Sequence, residues 1–265
     1  MIKNNSGILL SKFGEQRWID SLINGNMSFS CAGNYILQAK KTGNDIQGDL
    51  YEAIFARLYK NDSRIIEQRQ RLKKDLEEIE DGNFILLRRK SAKLKPIFCF
   101  YGYKAEDVLN DCKDPVSGNN TVLHEYNEKL YSGFSKSMGN NVVADEYRLT
   151  QLTLKPEPFV NRVKAAMARH GYGYIMNPVD YKIRAEETFF IEPTDKYEEL
   201  FYKDPKYSYQ LETRIFITGK QFWNVFERYN LFIGKFQEDT YWKSYNPMKF
   251  LLEVILEEAD EEQIE

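Results

Sequence analysis

The segment YSYQLETRIFIT at residues 207–218 alternates strictly: Tyr209, Leu211, Thr213, Ile215 and Ile217 share one parity, and Gln210, Glu212, Arg214 and Phe216 share the other. Side chains along a strand point to opposite faces in turn, so this period of two predicts a long strand with one apolar and one polar face. The polar face sets an amide, a carboxylate and a guanidinium about 7 Å apart on a stiff support. Two readings follow. Glu212 and Arg214 are solvated cross-strand partners on the outer face of a sheet, or the face carries chemistry, since rigid elements hold catalytic groups well.

Outward from this strand the chain mixes both periodicities. Residues 15–24 place Trp18, Ile19, Leu22 and Ile23 at helical spacing, and Asn24-Gly25 supplies a left-handed stop. Residues 27–31 read as a strand and 50–59 as a helix. Residues 158–170 form the cleanest helical pattern, with proline in the first turn and Gly171 behind, and 172–176 return to a strand. A short helix is expected at 195–203 and a last apolar segment at 249–256, before an acidic tail at 257–265. Residues 63–80 differ in kind. Ile65, Ile66, Leu72, Leu76 and Ile79 make a thin stripe in a charged background, which predicts one capped, solvent-washed helix. Its apolar face is too narrow for a core, so it is expected to protrude as a charged helical arm over about 61–95, to lean on the domain edge or to pair with a partner helix, with strand candidates at 84–87 and 96–103. The expected fold class is α+β, a mixed or antiparallel sheet with flanking helices and this arm. Turn residues crowd 110–120, which predicts a boundary between an N-terminal α/β part at 1–112 and a C-terminal α+β part at 121–265, with one continuous domain as the alternative.

Composition bounds the function. The 265 residues approach the size, roughly 250 to 300, at which a single core stops growing. With 42% hydrophobic residues there is ample apolar surface for a folded chain. No run reaches the roughly 18 to 20 apolar residues of a membrane span, and the three scattered cysteines suit a reducing compartment, so a cytoplasmic protein without a membrane partner is expected. A net charge of −3 lacks the positive field of nucleic-acid binders. The two histidines, His124 and His170, are spaced for no zinc motif, so no metal is expected.

The series Lys206, Tyr207, Tyr209, Gln210, Glu212 and Arg214 resembles the aromatic-x-x-E-x-E-x-R strand of an uncharacterised bacterial and phage domain family. The opening is similar too, with a small helix, an Asn-Gly turn, the strand Met27-Ser28-Phe29-Ser30, then Gly48-Asp49 and Glu52. The same strand is similar to the E/Q-x-E signature of ADP-ribosyltransferases. That resemblance implies Glu212 as the catalytic carboxylate, Gln210 as the residue orienting substrate, and NAD as cofactor. Lys12, Arg17, Ser28 and Ser30 then hold NAD, although the transferase pattern has histidine or arginine where Leu10-Ser11-Lys12-Phe13 offers lysine.

Two functions are therefore expected from different classes. The leading one is a phage or mobile-element protein without chemistry or cofactor that docks on a macromolecular partner, most concretely as an inhibitor of a bacterial anti-phage immune complex. Its docking residues are drawn from the basic stretch, Arg69, Lys73, Arg88 and Arg89, and from the aromatic C-terminal third, Trp223, Tyr229 and Trp242. The surplus of rings there also predicts self-association into an oligomer. The alternative is an ADP-ribosyltransferase or NAD-consuming enzyme built on Glu212.

Overall fold

A computed structural model describes residues 8–42, 48–104, 112–113, 120–125, 149–244 and 249–253. Strand β1 (Ile8–Glu15) leads into helix α1 (Gln16–Ile23), strand β2 (Asn26–Cys31) and helix α2 (Ala32–Thr42). Strand β3 (Ile54–Tyr59), helix α3 (Ser63–Leu72), and strands β4 (Leu76–Asp81), β5 (Phe84–Arg89) and β6 (Pro96–Lys104) follow. After the short strands β7 (Cys112–Lys113) and β8 (Asn120–Glu125) come β9 (Leu149–Leu154), helix α4 (Pro156–Arg169), and strands β10 (Gly173–Pro178) and β11 (Phe189–Phe190). Strands β12 (Glu212–Thr218), β13 (Tyr229–Phe232), β14 (Tyr241–Ser244) and β15 (Lys249–Glu253) close the chain. The class is α+β.

The large sheet runs β10-β12-β6-β1-β9-β14, with β2 joined to the beginning of β6 and β13 beyond β2. Strands from before and after residues 110–120 interleave in it: β6 lies between β12 and β1, and β1 pairs with β9. One face buries Leu10, Phe98, Phe100, Ile215 and Ile217 against Ile19 and Leu22 of α1 and Phe159, Val163 and Met167 of α4. On the other face Ile97 and Phe216 meet Ala32, Ala53, Leu200 and Phe201. Strand β12 is thus covered on both sides. A smaller sheet, β11-β3-β5-β4, stands against that second face, and β15-β8-β7 form a third ribbon. No helix among the described residues is long and apolar enough to cross a membrane.

Helix α1 forms because Ile19, Leu22 and Ile23 share a buried stripe while Trp18 faces out. Its stop needs glycine: Gly25 has φ +94, and a Cβ there would lie 2.6 Å from the backbone of Gly234.

Several expectations are corrected. Residues 50–59 are a turn followed by β3, not a helix. The run Ile54-Phe55-Ala56 is buried throughout, and a strand covered on both faces loses the alternation that marks strands in sequence. The charged helix ends at Leu72, where Lys73 takes φ +46, and Leu76–Asp81 is strand β4. Leu76 and Ile79 read as helical neighbours, yet Leu76 packs with Ile65 and Leu87 while Ile79 packs on the opposite side with Ile54 and Leu86. Region 61–95 is therefore a helix on a small sheet with its own apolar core, not a helical arm. The short helix expected at 195–203 shrinks to a 3-10 turn, Glu198–Phe201. Strand 207–218 begins only at Glu212, because Pro205–Gln210 winds into a 3-10 helix capped by the Asp204 side chain, and Leu211 turns the chain at φ +42. Strand β1 and helix α2 were unforeseen. Most of the 110–120 turn segment and the 257–265 tail lie outside the described residues.

Ile65 separates the two accounts of α3. Replacing it by alanine on a solvated arm changes stability by no more than about 0.5 kcal/mol, whereas deleting a side chain buried between Phe55 and Leu87 costs about 2 to 5 kcal/mol. Urea denaturation of Ile65→Ala is expected to show the larger loss.

Candidate functional site

Where β12 begins, the register sets Glu212 opposite Tyr101 and Arg214 opposite Cys99 on β6, so these four side chains share the face that meets the smaller sheet. Arg214 is fully buried. Its Nε donates to Glu212 Oε1 at 2.6 Å, its Nη2 to Glu52 Oε1 at 2.8 Å and its Nη1 to the Leu200 carbonyl at 2.5 Å. Lys203 Nζ completes the network, lying 2.6 Å from Glu212 Oε2, 2.9 Å from Gln210 Oε1 and 3.3 Å from Glu52 Oε1. Glu52 stands two residues before β3, so these bonds tie the two sheets together. A second buried tie, Arg89 Nε to Glu199 Oε1 at 2.6 Å, binds β5 to the 3-10 turn before β12. The solvated outer face expected for Glu212 and Arg214 is thus replaced by a buried ionic layer, because the smaller sheet covers it.

Glu212, Glu52 and Lys203, with the amide of Gln210, form the polar floor of a cleft of about 260 Å³. Phe13 and Tyr101, in edge-to-face contact at 4.9 Å, make an aromatic wall. Tyr35 and Gln38 of α2 line another side, with the Tyr35 hydroxyl 3.7 Å from Cys99 Sγ. Lys12 enters from β1 and donates to the Cys99 carbonyl at 2.7 Å. Gly48 lets the loop bearing Asp49 and Glu52 close on α2, since a Cβ there would sit 2.5 Å from the Tyr35 carbonyl and 2.6 Å from the Ala39 nitrogen.

Electrostatics set fixed charges at the floor. Burial opposes ionisation of Glu212, but Arg214 and Lys203 outweigh it and hold the carboxyl well below the usual range. Burial opposes the Lys203 charge too, and Glu212 and Glu52 overcome it and raise its pKa. Burial, with the Glu212 charge beside it, pushes the Cys99 thiol up to about 12, so it is no nucleophile near neutrality. Burial lowers Lys12. Asp49 is pushed up to about 6, first by burial and then by Glu52. Asp49 Oδ2 and Glu52 Oε2 are buried without a hydrogen-bond partner.

Of the residues singled out by sequence, Glu212, Gln210 and Lys12 meet at this cleft, although Gln210 sits on the 3-10 helix and its Oε1 holds Lys203. Arg17 is exposed and pairs with Glu15, and Ser28 and Ser30 lie on β2; none of the three lines the cleft. Arg88 and Arg89 are buried, Arg88 donating to the Leu50 carbonyl at 2.6 Å, so neither forms a docking surface. A guanidinium can be buried only when paired, and carboxylates and carbonyls between the sheets supply the partners. Arg69 is exposed but held bidentately by Glu78, and Lys73 is exposed at the end of α3. Trp223 is 92% exposed, while Tyr229 and Trp242 are half-buried, Tyr229 against Tyr172 and Trp242 beneath Lys155. Sequence reasoning missed Lys203, Tyr35 and Cys99, and it quoted Asp49 and Glu52 only as part of a resemblance. Lys203 and Tyr35 sit in segments with no motif, so only the fold brings them in. Among the described residues no group of three or more histidine, cysteine, aspartate or glutamate side chains is placed to hold a metal. No protein-family model, curated protein or solved structure matches the chain.

Two outcomes test the network. Arg214→Met leaves Glu212 and Glu52 buried with half their donors gone and is expected to cost about 3 to 5 kcal/mol in urea denaturation. The raised Asp49 makes the folded state keep a proton that the unfolded chain releases between about pH 4 and pH 6, so this group lowers stability as pH rises through that window. Asp49→Asn is expected to flatten that fall when thermal midpoints are compared across pH 4 to 6.5.

Proposed function

We propose that the cleft is the active site of an NAD-consuming or ADP-ribosyl-transferring enzyme. The observation that carries this is the placement of Glu212, which opens on a concave site bearing a lysine and an aromatic wall. The floor supplies a carboxylate fixed in its charged form, preorganised by Arg214 and Lys203, of the kind that holds a ribose hydroxyl and steadies positive charge on the sugar as a glycosidic bond breaks. With Arg214, Lys203 and the Cys99 thiol on its oxygens, the Glu212 carboxylate keeps about one of its roughly four lone-pair positions for a ligand donor. Phe13 and Tyr101 offer ring surface to a flat base, and about 260 Å³ suits a nucleoside-sized part of a longer ligand. Gln210 acts here by steadying Lys203 rather than by touching substrate.

Calorimetry with NAD, followed by incubation with NAD labelled in its ADP-ribose part, tests this reading. The wild-type chain is expected to bind NAD and release nicotinamide, and Glu212→Gln to lose about a hundredfold or more in rate while keeping much of the binding. Absence of NAD binding ends the proposal.

A second reading, docking on a macromolecular partner such as a bacterial immune complex, is favoured by one observation. Trp223 and Phe226, 92% and 67% exposed, stand in a single loop, and exposed rings of this kind anchor interfaces. The free thiols Cys31 and Cys99 support the reducing cytoplasm of a host cell as its setting. In this reading the wild-type chain captures a stoichiometric host complex, and Trp223→Ser with Phe226→Ser releases it. Equal capture by both proteins removes the loop from consideration.

A further inference from the structure

Strand β6 loses its neighbour partway along one edge. Gly102 N donates to the Leu211 carbonyl on the β12 side, so the backbone groups of Phe98, Phe100 and Gly102 turn to β12 and those of Ile97, Cys99 and Tyr101 to the opposite edge. On that edge β1 pairs as far as Tyr101, through Ser11, and β2 takes over only at Ile97, through Ser30. Cys99 falls in the gap between the two strands. Its carbonyl is satisfied by Lys12 Nζ at 2.7 Å, which anchors the ammonium at the mouth of the split, 4.7 Å from the centre of the Phe98 ring.

An ammonium has three N–H donors, and this bond uses one. The other cleft-lining cation, Lys203, spends its donors on Glu52, Gln210 and Glu212. Lys12 forms no ion pair among the described residues. A half-buried cation that makes no ion pair among the described residues, with Glu212 acting on it only from a distance, beside an aromatic face and a cleft, is a preformed half of a charge-assisted contact.

We propose that Lys12 is an anion receptor: the cleft takes a ligand whose phosphate or carboxylate group seats on its ammonium. This rests on the cleft being a ligand site but not on NAD being the ligand. Around Lys12 stand Cys99 on β6, Glu212 on β12, Tyr35 on α2, Glu52 before β3, and Lys203. Burial and Glu212 keep the Cys99 thiol protonated up to about 12, and burial raises Tyr35 well above its ordinary value. Burial depresses Lys12 and the Glu212 charge partly offsets it, so its ammonium gives up its proton more readily than an exposed lysine's. Affinity accordingly falls as pH rises through the Lys12 titration, which lies below that of an exposed lysine.

Calorimetry of the full chain with inorganic pyrophosphate and with succinate tests the receptor and separates its two ligand chemistries. Binding of either probe is expected. It weakens about tenfold to a hundredfold in Lys12→Met and stays near wild type in Lys12→Arg and in Lys60→Met, a control at an exposed lysine. Should Lys12→Met not fold, mass spectrometry of the acetylated wild-type chain replaces it: the bound probe is expected to slow modification of Lys12 and not of Lys60. No binding of either probe, undiminished binding in Lys12→Met, or no protection of Lys12 overturns the receptor. Pyrophosphate bound through Lys12 with no binding of NAD ends the NAD reading and leaves the receptor standing.

Discussion

Arg214 is the residue on which the two-sheet arrangement rests. Its guanidinium is fully buried and shared between Glu212 on its own strand and Glu52 at the entrance to the smaller sheet. Taking such an ion out of water is costly, and in a low-dielectric interior the cost is offset only when geometry is good and every donor finds an acceptor. That requirement fixes much else. The Leu200 carbonyl must turn toward Nη1, Lys203 must balance the second carboxylate, and the loop carrying Glu52 must come close to α2, which Gly48 permits. The bonds of Arg214 and Lys203 to Glu52 and Glu212 join the segment before β3 to the start of β12.

The same layer places the candidate site. Charged side chains packed between two sheets are expensive as mere structure, and three of them, Glu52, Lys203 and Glu212, surface at the edge of the layer in the floor of the cleft. Structural and chemical roles are joined there. Glu212 is held by Arg214 and Lys203 and, in the proposed enzyme, is also the carboxylate a ligand meets, which makes Arg214 a positioning residue there.

How much of this was legible in sequence follows from burial. Strand β12 showed itself by alternation, and the pairing of Glu212 with Arg214 was visible because i and i+2 share a face. Their surroundings were not, since alternation says which residues share a face and nothing about what covers it. Helix α4 was read well because Phe159, Val163, Ala166 and Met167 make a one-sided stripe. Strand β3 was misread because burial on both faces erases the period. Residues 63–80 failed for a subtler reason: Leu76 and Ile79 keep helical spacing by coincidence and point to opposite faces of β4. In the cleft, Lys12 and Glu212 were named from a resemblance, whereas Lys203, from an irregular segment, and Tyr35, from an unforeseen helix, are assembled by the fold alone.

The divergence of β1 and β2 from β6 carries a consequence for how this scaffold varies. Backbone pairing, not side-chain volume, leaves the split beside Cys99, so exchanging Phe13, Tyr35 or Gln38 changes what lines the cleft without closing the split between the strands.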